Sequence, residues 1–90
     1  MTGTYIRYNR AVLAGQPLLA IEIEALHLAS HGFTNWQIGR VLDLTESGAK
    51  DRLRRAMAKL GATDRAHAVR RGFETGYLQP DTPAVRKVAS

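Results

Sequence analysis

Residues 34–60, TNWQIGRVLDLTESGAKDRLRRAMAKL, limit what this chain can fold into more than any other stretch. Thr34 and Gln37 have capping-box spacing, so each side chain can satisfy the other's orphan backbone donor at the start of a helix. Ile38, Val41 and Leu42 then fall on one expected buried face. Asp43 is a turn residue that tolerates a left-handed backbone, and Leu44 can tuck beneath the turn. Thr45 is a good N-cap for a longer helix over 46–60. Short helix, tight turn and longer basic helix follow in the order of a helix-turn-helix, a unit that lays one helix face on DNA.

The longer helix separates into faces. Ala49, Leu53, Ala56, Met57 and Leu60 form an apolar stripe. Ser47, Lys50, Asp51 and Arg54 form a polar face, and Arg52, Arg55 and Lys59 flank the stripe. Between Glu46 and Gly61 lie five Lys or Arg and two acids, a local charge of +3. Gly48 runs against helix propensity by about 1 kcal/mol relative to alanine. Trp36 lies beside the buried face of the short helix, and packing is favoured over a place beside DNA.

The flanking segments predict an all-α body. Pro17 reads as an early position of a helix running to about His31, since its missing N–H is harmless there. Ile21, Ala25, Leu28 and Ala29 repeat at helical spacing, widened by Leu18, Leu19 and Leu26, and Gly32 suits the end of this helix. Glu22 and Glu24 read as structural carboxylates near its start. After Gly61, Thr63 or Asp64 caps a helix over 65–77 that places Ala66, Val69, Phe73 and Tyr77 on one face. Such a helix can close the core and pair with a copy of itself. The expected organisation is an arm over 1–16, a helix-turn-helix domain over 17–78 and a disordered tail over 79–90. Arg7 and Arg10 of the arm could reach a phosphate or a minor groove, but a plain surface role is favoured.

Composition narrows the function. Ninety residues imply one domain, and 7% aromatics against 44% apolar residues imply an aliphatic core. The net charge of +5 favours a polyanionic partner. The absence of cysteine removes disulfides, thiolate zinc sites and thiol nucleophiles. His27, His31 and His67 read as scattered solvent-side residues rather than as metal ligands, so no metal or cofactor is expected. No Ser/His/Asp set or carboxylate pair stands out, and TESGAK lacks the leading glycine and Lys-Ser pair of a phosphate loop, so no enzyme is expected. No run approaches a membrane span or a signal-peptide core, so the expected place is the cytoplasm, on the nucleoid when bound to DNA.

The expected work is sequence-specific binding of double-stranded DNA, to regulate transcription. The N-terminal half of the 46–60 helix would enter the major groove. Lys50 and Arg54 would donate to base edges with Ser47 beside them, and Asp51 would accept from cytosine or hold an arginine. Thr34, Arg40, Arg52 and Arg55 would meet phosphates. A dimer through Ala66, Val69, Arg70, Phe73 and Tyr77 would supply the second half-site. The alternative keeps the fold and changes the partner: an adaptor or anti-regulator that binds RNA polymerase, another regulator or a DNA-packaging complex.

From Leu18 to about Val69 the chain resembles the DNA-binding domain of the LuxR/FixJ/GerE family of transcriptional regulators. Glu24, LHLAS and Gly32 resemble the family's first helix, and Asn35, Ile38 and Gly39 its turn-opening helix. Thr45, Glu46, Lys50, Leu53 and Lys59-Leu60-Gly61 resemble its recognition helix, and Thr63, Arg65, Ala68 and Val69 the start of its last helix. The resemblance implies a four-helix fold, a three-helix core plus a C-terminal helix. It also implies DNA binding, usually as a dimer through the last helix, with base contacts at Lys50, Asp51 and Arg54 and with Arg52 near the backbone. Leu19, Asp43, Gly48, Ala49 and Asp51 depart from the usual residues. Most relatives carry a sensory or receiver domain as well, so a chain of this length is expected to be a stand-alone member.

Overall fold

The structure is a computed structural model that describes residues 10–80. Arg7 of the expected arm and residues 81–90 of the expected tail lie outside the described residues. Within them the chain forms α1 (Arg10–Leu13), α2 (Ala20–Ser30), α3 (Asn35–Leu42), α4 (Glu46–Leu60) and α5 (Arg65–Thr75). α4 is the hub, packed against each of the other four, and α2 also meets α3 and α5. The all-α helix-turn-helix architecture expected from the sequence is what forms.

The core is aliphatic and dominated by small residues. Ala25, Leu26, Ile38, Ala49, Ala56, Ala62 and Ala68 are fully buried, joined by Leu18, Leu53, Leu60 and Leu78. Alanine at the crossings of α2, α4 and α5 lets the helices approach closely, and the leucines fill the spaces between. Phe33 and Tyr77 pack at the margin, partly buried.

Three helices begin as the sequence indicates. Thr34 Oγ1 accepts from Gln37 N at 3.2 Å while Gln37 Oε1 accepts from Thr34 N at 2.8 Å. Thr45 Oγ1 accepts from Gly48 N at 2.9 Å, and Asp64, rather than Thr63, caps α5 through His67 N at 2.8 Å. Caps of this kind contribute about 1 kcal/mol each. Gly48 therefore sits in the first turn of α4, where its amide is used by the cap.

Three expectations need correction. Pro17 is not in the first turn of a helix: α2 starts at Ala20 with Leu19 as N-cap. Leucine has no oxygen to offer, and Glu22 Oε1 reaches back instead to accept from Leu19 N at 2.8 Å. Val41 is not buried with Ile38; it is 55% exposed, because α3 is only eight residues long and its buried side is taken by Ile38 and Gly39. Trp36, beside that face, is 55% exposed with the Arg40 guanidinium 5.2 Å from its ring centroid. Finally, α5 ends at Thr75, not at 77, because Gly76 takes φ +89° as its C-cap. The chain then folds back, so that Tyr77 Oη accepts from Leu18 N at 3.3 Å and Leu78 is buried.

The described part of the 1–16 stretch packs on the body. Leu13 is buried, Arg10 Nη2 donates to the Ala62 carbonyl at 2.6 Å, and Gly15 N donates to the Lys59 carbonyl at 3.0 Å.

Candidate nucleic-acid interface

The turn between α3 and α4 sets how the two helices meet. Asp43 takes φ 60°, ψ 44°, the left-handed conformation that aspartate tolerates, and Leu44 N donates to the Gly39 carbonyl at 2.7 Å. Gly39 is pressed against the chain that follows. A Cβ built there would stand 2.7 Å from the Leu44 carbonyl oxygen and 3.0 Å from that of Thr45, so only glycine fits this approach.

A second tie holds the entrance of α3. Arg65, the first residue of α5, donates from Nη1 to Asn35 Oδ1 at 2.7 Å and from Nη2 to the Phe33 carbonyl. These bonds flank Thr34, so the last helix fixes the start of the helix-turn-helix. The sequence placed Arg65 only as part of a helix start. No local spacing shows a partner 30 residues away.

Against this frame α4 presents Glu46, Ser47, Lys50 and Arg54 as exposed residues on one side, while Ala49, Leu53, Ala56 and Leu60 are buried on another. Ser47, Lys50 and Arg54 are thus brought together. Lys50 and Arg54 also border a half-open cleft with Asn35 and Arg65, floored by Leu53, Met57 and Ala68. The cleft has a volume of about 230 Å³ and no carboxylate in its lining.

Asp51 stands apart from that group. Its side chain is only 14% exposed, and Oδ2 accepts from Arg52 Nη1 at 3.0 Å. Its Oδ1 is buried and has no hydrogen-bond partner. Of the residues expected at phosphates, Thr34 and Arg40 are exposed on α3, Arg40 lying over Trp36. Arg52 and Arg55 are half-buried. Arg52 is turned to Asp51, and Arg55 Nε stands 3.3 Å from Glu22 Oε2.

Glu22 is where the sequence was least informative. It is fully buried, accepts from Lys59 Nζ at 2.7 Å, and receives Arg55 and the Leu19 amide as well. Three donors around one carboxylate satisfy a buried charge that would otherwise be prohibitive. The hint in the sequence was an acid three residues after an uncapped helix start.

On α5, Ala66, Arg70 and Phe73 are exposed, and Val69 is partly buried against the core. Tyr77 does not join them, since it lies past Gly76 with its hydroxyl turned to Leu18. Among the described residues no group of three or more His, Asp or Glu could hold a metal ion. No helix of the described chain is long and apolar enough to cross a membrane.

Comparison with known proteins meets this geometry. Residues 16–71 match the family described as bacterial regulatory proteins, luxR family, a range that runs from the turn before α2 into α5. The chain is 31% identical over 78 residues to the transcriptional activator protein VanR of Vibrio anguillarum, covering 87% of this chain and 32% of that protein. It is 37% identical over 59 residues to the transcriptional activator protein BjaR1 of Bradyrhizobium diazoefficiens, covering 66% and 24%. It is 38% identical over 63 residues to the transcriptional activator protein ExpR of Dickeya dadantii, covering 70% and 25%. The chain therefore spans about a quarter to a third of the length of these relatives. With the match running through the helix-turn-helix and both helices that brace it, the chain belongs to the luxR family of bacterial regulatory proteins.

Proposed function

We propose that this chain binds double-stranded DNA sequence-selectively through α4 and so regulates transcription, acting in the cytoplasm on the nucleoid. The observation that carries the reading is the side-by-side exposure of Ser47, Lys50 and Arg54 on a capped helix whose opposite stripe is locked into the core. A rigid element presenting donors is what readout of base edges requires. The names of the three relatives, all transcriptional activators, support the regulatory part.

In this reading the N-terminal half of α4 enters the major groove. Lys50 and Arg54 donate to guanine O6 and N7, and Ser47 reaches a base or the adjacent phosphate. Thr34 and Arg40 meet the backbone from α3. Asp51, with Arg52 and Arg55, serves at the flank: release of Asp51 from Arg52 would let one accept from cytosine N4 and the other meet a phosphate. Ala66, Arg70 and Phe73 form the dimer face, with Val69 at its edge, so that two α4 helices read a symmetric site.

Selection of bound sequences from random duplexes, followed by competition between the selected site and random DNA, tests the reading. Lys50→Ala and Arg54→Ala should each lose about 1–3 kcal/mol of discrimination. If both discriminate as the parent does, α4 is not the reading element. Phe73→Glu should shift the sedimentation mass towards a monomer. Wild type that stays monomeric both free and on its selected site would overturn the dimer.

A second reading, an adaptor that binds RNA polymerase, another regulator or a packaging complex, is favoured by the exposure of Trp36 and Val41 on α3. It predicts protein capture that is lost in Trp36→Ala or Val41→Asp, with little affinity for duplex DNA.

A further inference from the structure

The C-terminal end of α2 carries two histidines one helical turn apart. His27 and His31 are both exposed, and their rings meet edge-on with centroids 4.7 Å apart and planes at 70°. We infer that His27 and His31 chelate one divalent transition-metal ion of the Cu²⁺, Ni²⁺ and Zn²⁺ class.

The distance supports this directly. An ion about 2.0–2.1 Å from one nitrogen of each ring lies roughly 3.2 Å from each ring centre. For two ligands at 90–109° around the ion, the ring centres then stand about 4.5–5.2 Å apart. The observed 4.7 Å falls in that interval, so the spacing of the two rings matches that of imidazoles sharing one ion, with rotation of the rings bringing their nitrogens onto it. Histidine χ2 is broad and two-fold, so either nitrogen of each ring can be turned inward. Two imidazoles at positions i and i+4 on one helix face are also the ligand spacing of helical zinc motifs.

The surroundings favour a cation. His27 lies in the last turn of α2, where the orphan carbonyl groups make the field negative. Glu24, one turn earlier, lines the same groove as His27, and no Lys or Arg lines it. Remaining coordination positions go to water, since no third ligand is in place among the described residues. Such an open site suits ions that accept imidazole and water together, with Cu²⁺ bound most tightly of the three.

His67 provides an internal control. Its Nδ1 lies 3.1 Å from the Thr63 amide N, which donates to it, and it caps no second imidazole. The groove by His27 shares no lining residue with the cleft by Lys50 and Arg54, so the metal site stands or falls independently of DNA binding.

The test is calorimetric titration of the untagged chain with NiCl₂, alongside His27→Gln, His31→Gln and His67→Gln. Because both ligand positions are exposed, the variants should keep the metal-free melting temperature of the parent. The expected result is one saturable site per chain, weakened roughly tenfold or more by either ligand substitution and unchanged by His67→Gln. Substoichiometric Cu²⁺ should broaden amide resonances around residues 24–31 first. Absence of saturable binding overturns the inference. So does parental affinity in His27→Gln or His31→Gln, or broadening centred elsewhere.

Discussion

α4 carries five Lys or Arg, and its two ends use them in opposite ways. Toward the N-terminus, Lys50 and Arg54 are exposed beside an uncharged serine. Toward the C-terminus, Lys59 is 7% exposed and donates at 2.7 Å to a carboxylate with no exposure at all. Lys59 follows Lys50 by 59 − 50 = 9 positions. At about 3.6 residues per turn that is roughly two and a half turns, which puts the two ammonium groups on opposite sides of one helix. A count of +3 along α4 therefore overstates the charge offered to DNA. Part of it is held inside the protein, where it fastens α4 to α2.

The largest effect should come from the inner end. Glu22→Gln removes the charge that compensates Lys59, and breaking a buried pair from one side costs about 3–5 kcal/mol. Urea unfolding measures it, with Lys50→Ala expected within about 0.5 kcal/mol of the parent. Equal effects in the two variants would erase the distinction between the ends. Replacing Glu22 by leucine and Lys59 by methionine together should recover part of the loss, since a buried pair can be exchanged for apolar packing, while the bonds of Glu22 to the Leu19 amide and Arg55 stay lost.

Next in size is Gly39→Ala. The added carbon meets backbone carbonyl oxygens, which can move only by reorienting α3 against α4, at about 1–3 kcal/mol. In contrast to Glu22→Gln, this change should weaken DNA binding even where the protein remains fully folded, because it alters the angle at which Lys50 and Arg54 are presented. Binding at a temperature well below the unfolding transition separates the two cases. Gly72→Ala is the counterpart that meets side chains instead of backbone, with Leu78 Cδ1 and Cγ at 2.9 Å and Leu26 Cδ2 at 3.0 Å, so its strain falls on the core beside α5 and leaves the angle between α3 and α4 unchanged.

Asp51→Asn sharpens the outer end. The Asp51–Arg52 pair is partly exposed, so the stability change should stay within about 1 kcal/mol. Removing the acid frees Arg52 to meet a phosphate. Affinity for random duplex should rise, with a salt dependence steeper by about one counterion. An unchanged slope would mean that Arg52 does not reach the backbone.

Much of this fold is written locally. Thr34, Gln37 and Thr45 announce their helices because a cap is a contact over three residues, and Asp43 announces its turn for a similar reason. The stripe from Ala49 to Leu60 follows from helical period alone. What is not local was not legible. Glu22 gathers partners 33 and 37 residues away, and Arg65 reaches back 30 residues to Asn35. Val41 has the side chain of a buried residue, yet a helix of eight residues has only one narrow inner side, where Ile38 and Gly39 are the buried residues. For the interface, periodicity grouped Ser47, Lys50, Asp51 and Arg54. It could not register that Asp51 would be drawn toward Arg52 and away from the exposed three.

The smallest effect concerns a third use of arginine, on the surface of α5. Glu74 accepts from Arg70 Nε and from Arg71 Nη1, each at 3.0 Å. The hydrogen bond from Arg71, and after it that from Arg70, holds the Glu74 carboxyl below its ordinary value. A lowered folded-state pKa means that the unfolded chain takes up the proton first as the solution is acidified. The pair therefore contributes its stability above the ordinary carboxylate range and loses it as pH falls through the lowered folded value. Because the group is exposed, the contribution is small and screened by salt. The melting temperatures of the parent and Glu74→Gln should differ slightly at neutral pH and converge in acid, and added salt at neutral pH should narrow the gap. A gap that persists unchanged in acid would assign the effect to something other than the carboxylate's charge.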